Sequence, residues 1–382
     1  MPNFRFTNAQ GTGSILCLYF FLHQVEMSPS SIYIYARKQN NMKRFIICTL
    51  TLSTALLVLL PSCHKDTQPE LKIGLISGVG GFSDRGFNEN ILAGFQKAAT
   101  EFPITCQTRE SLSEEAIAEG ISDFISDSCD LIITAGYAAA QATIDAAMAN
   151  PGIDFLILDY STANPPSNML CSIFDVDQSS FPCGFLAAYW AYRQNQENPR
   201  AGYVAGLDIP QIRQFSESFI HGIAFFNEKY QKDVQVSGYF ADSFIDTLQG
   251  ATLADSLLQQ GASVIFAFAG KTGNGALYRV QDAGKWAIGV DVDQYYSIPQ
   301  IGPVLLTSCV KKLDNAIYSM LKDYQNNEFS GGQTQYNSLS NNGVGMAPFH
   351  DYETMIPDSI KAALTAIEIG IKNGSIATGW NK

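Results

Sequence analysis

The residues best equipped for chemistry in this sequence lie within positions 263–294. Gly270-Lys271-Thr272 closes an apolar run over 264–269, the order in which a phosphate-binding loop presents its ammonium and hydroxyl. Such a loop also needs a glycine five residues before the one that precedes the lysine, so that backbone N–H groups wrap the phosphates. That position is Ile265, inside the apolar run, and the wrap cannot form. What remains over 270–275 is a permissive loop, whose glycines and Asn274 allow close backbone approach and positive φ. A second apolar run, 286–290, ends on Asp291-Val292-Asp293-Gln294, and these two carboxylates are candidate metal ligands for a hydrolase. A metal would call for more carboxylates nearby, and the first strand carries no aspartate-rich cluster. Beyond residue 62 stand Cys63, Cys106, Cys129, Cys171, Cys183 and Cys309 with His64, His221 and His350, none at metal-ligand spacing. Neither a metal site nor a cysteine–histidine nucleophile finds support, and no cofactor is expected.

Strand ends must hold these groups, and the chain supplies strands at regular intervals. Apolar runs at 71–77, 104–107, 131–135, 155–159 and 169–174 alternate with helical patterns at 86–102, 113–126 and 136–149. The alternation restarts with helices at 181–193, 212–229 and 247–260 and strands at 200–205, 234–239, 263–269, 286–290 and 304–307. An amphipathic helix is expected over 311–322 and a closing helix over 360–373, with a polar surface excursion or hairpin over 326–345. Two consecutive βαβα runs predict an α/β protein with two parallel-sheet lobes, since parallel strands need crossover helices. The expected division is 71–174 with 295–325 in lobe 1, and 175–294 with 326–382 in lobe 2. Ligands of open parallel sheets sit beyond the carboxyl ends of the strands.

At ~100–200 residues per domain, 382 residues suit two domains beyond any targeting segment. The composition, 46% apolar and 12% aromatic, is ample for two cores. A net charge of −12 without a basic stripe argues against nucleic acid. From Met42 the chain reads Met-Lys-Arg, an apolar run over 45–60, then Leu60-Pro61-Ser62-Cys63. A positive start, short apolar stretch and small-residue exit describe a secretory signal peptide over 42–62, and the run is shorter than the ~20 residues of a membrane-spanning helix. Cys63 after a small residue resembles a lipobox, in which that cysteine is lipidated and becomes the first mature residue. Residues 1–41 are then expected to be a misassigned upstream extension, and 63–70 a tether. Without 1–62 the chain keeps 19 basic and 35 acidic residues, a charge near −16 that fits an exported receptor.

Several segments carry a specific resemblance. Gly80-Gly81-Phe82-Ser83-Asp84-Arg85-Gly86-Phe87-Asn88 is similar to the pattern GG-x-x-D-x-x-FN of the basic membrane protein lipoproteins. Gly206-Leu-Asp208-Ile-Pro210-Gln-Ile-Arg213-Gln-Phe215 resembles that family's G-M-D-I-P-x-I-R-x-F. The stretches 270–275, 289–294 and 307–311 resemble its G-G-T-G-N-G, G-V-D-x-D-Q and T-S-x-V-K, in the same order.

The resemblance implies a type I periplasmic-binding-protein fold, two Rossmann-like lobes joined by hinge crossovers, serving the permease of an ABC importer. It further implies a monomeric, lipid-anchored receptor in the cell envelope, facing the periplasm or the exterior, that captures a nucleoside, most of all a purine nucleoside. Carried onto this sequence, Phe87 and Phe244 would sandwich the base, and Asn88 and Asp159 would address its polar edge. Gly270, Asp291 and Lys311 would bind the ribose hydroxyls, with Phe215 lining the pocket. A flat base offers a face for aromatic stacking, and hydroxyls need an acceptor and a donor together, so the residue types suit these roles. In one departure, Gly78 stands where nucleoside-binding relatives commonly carry an aspartate that helps read the base. Another sugar- or ring-bearing solute fits the same residues, and an envelope nucleoside hydrolase using Asp291 and Asp293 is the rival class. A transcriptional regulator on this fold would carry a basic helix-turn-helix where this chain has its signal segment.

Overall fold

In the computed structural model, residues 71–381 are described, and they belong to one compact unit. The signal segment, Cys63 and the tether expected before residue 71 lie outside the described residues. Strands β1 (Leu71–Ile76), β3 (Leu131–Ala135) and β4 (Asp154–Leu158) are short and almost wholly buried. Such continuous apolar strands need cover on both faces, as crossover helices provide. That cover comes from α1 (Phe87–Glu101), α2 (Glu114–Ser126) and α3 (Ala140–Ala149), with β2 (Ile104–Arg109) at one edge. Ser113 starts α2 by accepting the Ala116 N–H on its hydroxyl, and Glu114 and Glu115 stand in the first turn, where carboxylates suit the helix dipole.

After β5 (Met169–Phe174) the chain crosses into a second layer set through α4 (Asp177–Gln194). There follow β6 (Arg200–Ala205), α5 (Pro210–Tyr230), β7 (Gln235–Phe240) and α6 (Thr247–Gln259). Next come β8 (Val264–Phe268), α7 (Gly270–Asp282), β9 (Trp286–Asp291), the short α8 (Gln294–Ser297) and β10 (Leu305–Lys311). The chain ends through α9 (Leu313–Gln325), β11 (Gln333–Asn337), β12 (Val344–Met346) and α10 (Asp358–Lys372). The sheets run β11-β5-β4-β3-β1-β2 and β12-β10-β9-β8-β6-β7, the same order strand for strand. All pairs are parallel except β10 with β12. Stacked phenylalanines fill the core of the second lobe, with the Phe215 and Phe268 rings 5.3 Å apart.

Three expectations are corrected. Segment 295–325 was expected wholly in lobe 1, but β10 pairs with β9 in the second sheet, and only α9 returns to pack on α1. Segment 326–345 is not a hairpin of lobe 2: β11 extends the first sheet beside β5, and β12 extends the second beside β10. The chain therefore passes between the lobes three times, at 175–176, at 312 and at 338–343. Finally, 270–275 is no loop but the opening turns of α7. Gly275 serves helix contact: a Cβ on it would lie 2.0 Å from the Thr247 carbonyl oxygen, as one on Gly250 of α6 would lie 1.8 Å from that of Thr272, while Gly270 keeps the positive φ expected of this stretch. Close packing of α6 on α7 outweighs the poor helix propensity of glycine.

Candidate functional site

Both sheets aim strand ends at one cavity of about 460 Å³, within the ~300–1,000 Å³ of small-molecule sites. Phe87, Asn88, Asp159, Phe215, Phe244, Gly270, Asp291 and Lys311 all line it, so the structure brings together the eight residues singled out above.

Its polar end is built with internal symmetry. β4 and β9 hold the same place in their sheets, and each runs out into an aspartate at positive φ, Asp159 at 60° and Asp291 at 64°. Few non-glycine residues adopt this conformation, and aspartate is among those that tolerate it. Lys311, the last residue of β10, is buried with its Nζ 2.6 Å from Asp159 Oδ2 and 3.9 Å from Asp291 Oδ1. The ammonium also lies over the rings of Phe215, Phe87 and Phe174, at 5.2, 5.4 and 6.0 Å, within cation–π reach. Burial pushes the Asp291 carboxyl up to about 7, against the pull of Lys311 and with the help of Asp159 and Asp84. Burial alone would lower Lys311, but the charges of Asp159 and Asp291 and the hydrogen bond to Asp159 hold it above its usual value. The expected pairing of Lys311 with Asp291 thus gives way to a triad whose shortest link, Lys311 to Asp159, joins the two lobes. Asp159, assigned to the ring edge by the resemblance, is thus tied to Lys311 through its Oδ2.

At the apolar end, Phe87 opens α1 and Phe244 reaches in from the second lobe. Phe244 is seated between two glycines. A Cβ on Gly206 would lie 2.1 Å from the Phe244 ring, and Gly270, at φ 55°, passes under the Phe244 carbonyl. Asn88 is largely committed: its Oδ1 accepts the Gly78 N–H at 2.7 Å and its Nδ2 donates to Asp84 Oδ2 at 2.9 Å. Gly78 leaves little room for a larger residue, since a Cβ there would stand 3.1 Å from both Ala135 O and Asn88 Oδ1.

Three functional positions escaped the sequence reading although they lie inside its motifs. Asp84 accepts the backbone N–H groups of Gly86, Asn88 and Glu89 and so fixes the start of α1, which carries Phe87 and Asn88. Asn274 donates to the Asp84 carbonyl across the lobes at 2.9 Å, and Gln294 donates to Asn274 at 3.4 Å. Gln294 also accepts the Val290 N–H at 2.8 Å, which steadies the strand that ends on Asp291. Their signal was the recurrence of amide and carboxylate residues at motif positions with no ligand role assigned.

Asp293 does not join Asp291. It lies 2.8 Å from His350 Nε2 and caps α8, and among the described residues no cluster of His, Cys, Asp or Glu is arranged to hold a metal ion. Asp208 makes a two-point ion pair with Arg213, at 2.6 and 2.8 Å, inside the second lobe. Cys106, Cys129, Cys171, Cys183 and Cys309 are free thiols away from the cavity.

Two like-ordered sheets, three connections between them and a cavity at facing strand ends define a type I periplasmic-binding-protein fold, the architecture of solute receptors. Among solved structures, the chain is similar to an ABC transporter solute-binding protein from Aeropyrum pernix K1. The TM-score is 0.75 at 22% identity, over 80% of this chain and 92% of that one. A transcriptional activator of the comK gene from Bacillus halodurans shares the fold at TM-score 0.61 and 19% identity, over 79% of this chain and 98% of that one. In sequence, basic membrane protein A1 of Borrelia garinii subsp. bavariensis is 28% identical over 84% of this chain and 93% of its own length. An uncharacterized lipoprotein of Pyrococcus furiosus is also 28% identical, over 78% of this chain and 76% of its own length. The model of the Bmp family, described as ABC transporter substrate-binding protein PnrA-like, matches residues 72–379, and the chain belongs to that family. Its members are solute-binding proteins of ABC transporters and not enzymes.

Proposed function

We propose that this protein is a lipid-anchored nucleoside receptor, attached to the membrane through Cys63, that delivers its ligand to an ABC permease. The ring stacks between Phe87 and Phe244, and the sugar hydroxyls meet Asp159, Asp291 and Lys311 with the backbone of Gly270. The observation that carries this reading is the pairing, in one cavity, of two lining phenylalanines with a buried triad of two carboxylates and one ammonium. Flat apolar walls at one end and a donor with acceptors at the other match a ring joined to a polyol. Calorimetry with a nucleoside and its 2′,3′-dideoxy analogue tests it. Tighter binding of the nucleoside is expected, and equal affinities would remove the sugar from the polar end. Incubation with inosine should release no free base. Intact mass spectrometry of the native protein should show an acylated chain beginning at Cys63, and a soluble form retaining residues 1–41 would refute the anchor.

A further inference from the structure

We infer that Asn274 and Ser297 are positioning residues: from the second lobe they hold the segment 84–86 of the first, and so place Phe87 and Asn88 for the ligand without touching it. This rests on the reading of the cavity as a solute site and adds to it two residues to which the family resemblance gives no role. Two successive first-lobe carbonyls accept from second-lobe side chains. Asn274, buried in α7, donates its Nδ2 to the Asp84 oxygen at 2.9 Å, and Ser297, at the end of α8, donates its Oγ to the Arg85 oxygen at 2.8 Å. Gly86 completes the contact, since a Cβ on it would lie 3.8 Å from Asp291 Oδ2. Arg85 keeps a φ of 61°, a conformation that few non-glycine residues adopt and that persists where the surroundings over-determine it. Neither Asn274 nor Ser297 is among the residues that line the cavity.

What the two bonds hold is the start of α1. The Asp84 carboxylate accepts the backbone N–H groups of Gly86, Asn88 and Glu89 and the Asn88 side-chain amide, so where residue 84 is held, the first turn of α1 is held with it. Phe87 and Asn88, both lining the cavity, stand in that turn. Asn274 is itself fixed from the polar end. Gln294 donates to its Oδ1 at 3.4 Å and accepts the Val290 N–H at 2.8 Å, next to Asp291. A continuous run of bonds therefore leads from the strand that carries Asp291, through Gln294 and Asn274, to the helix that carries Phe87. A binding site is only as well placed as the side chains that support it. The Asn274 bond is buried and the Ser297 bond exposed, so Asn274 is the stronger of the two holds.

The test has two arms, each run on the wild type, Asn274→Ala, Ser297→Ala and Ser297→Thr. Amide hydrogen exchange without ligand follows residues 86–89, with α2, which carries neither residue, as the internal reference. Asn274→Ala should speed exchange over 86–89 by about tenfold, the scale of one buried hydrogen bond, and leave α2 as it was. Ser297→Ala should speed it less, and Ser297→Thr, which keeps the hydroxyl, should match the wild type. Calorimetry with inosine should show binding by Asn274→Ala weakened by about tenfold. Unchanged exchange over 86–89, or equal acceleration in α2, overturns the hold. Unchanged inosine affinity in Asn274→Ala overturns its part in placing Phe87 and Asn88, and either result leaves the nucleoside reading standing. No binding of inosine by the wild type overturns the nucleoside reading, and the exchange arm still decides the hold.

Discussion

Replacing Lys311 by methionine removes an ammonium while keeping the apolar stem that Phe87, Phe174 and Phe215 surround. Asp159 and Asp291 are then left buried together without a cation. Removing one partner of a buried ion pair costs ~3–5 kcal/mol, most of it the penalty on the charge left behind. Asp291 escapes part of that penalty by taking up a proton, which burial already favours. The stranded charge is mainly that of Asp159, and the expected cost lies near the low end, about 3 kcal/mol. Asp159→Asn is milder, about 1–2 kcal/mol, because Lys311 keeps Asp291 at 3.9 Å. The double variant strands neither charge of the 2.6 Å pair. It should therefore lose at least about 1 kcal/mol less than the sum of the two single losses, a coupling typical of contacting charges. Urea unfolding of the four proteins at pH 7 without ligand measures the cycle, with equal m-values required for the comparison. Losses that add to within about 0.5 kcal/mol, or a Lys311→Met loss below about 1 kcal/mol, would show that the pair is not the buried link described.

Asp291→Asn should change how stability depends on pH. The Asp291 carboxyl is raised from an ordinary value near ~3.9 to about 7, so the unfolded chain ionises first and wild-type stability drains away as pH rises between these values. The stability of Asp291→Asn relative to wild type should climb over that window by up to ~4 kcal/mol, and parallel curves would deny the shift. Phe87→Ala and Phe244→Ala should each weaken nucleoside binding by ~1–3 kcal/mol; unchanged affinity with a lower melting temperature would make them core residues. Gly275→Ala drives a methyl against the Thr247 carbonyl and should cost ~1–3 kcal/mol in urea unfolding. Gly152→Ala, with nothing within 4 Å, serves as its control.

The strands were legible because parallel sheets bury both faces, which turns each strand into a continuous apolar run such as 131–135. Assignment of strands to lobes was not. β10 follows β9 in sequence and pairs with it, yet α9, one residue further, packs on α1, and no local pattern announces that exchange. The polar composition of 326–345 describes two edge strands as well as it describes a hairpin. The glycines of α7 suggested a loop because the use of Gly275 lies in a neighbouring helix that sequence spacing does not reveal. At the site, the ordered motifs held six of the eight lining residues, Asp159 and Phe244 lying outside them, and the partners within the site were hidden. Lys311 and Asp159 are 152 positions apart, and their link exists only once the two lobes are packed.

The place of Lys311 has one more consequence. It is the last residue of β10, one step from the single-residue crossing at 312, so the buried ammonium that pairs with both carboxylates sits beside one of the links about which the lobes can turn. Displacement in such a rotation grows with distance from the axis. Lys311 therefore stands on a short lever arm for any such rotation, while walls further from the crossings stand on longer ones.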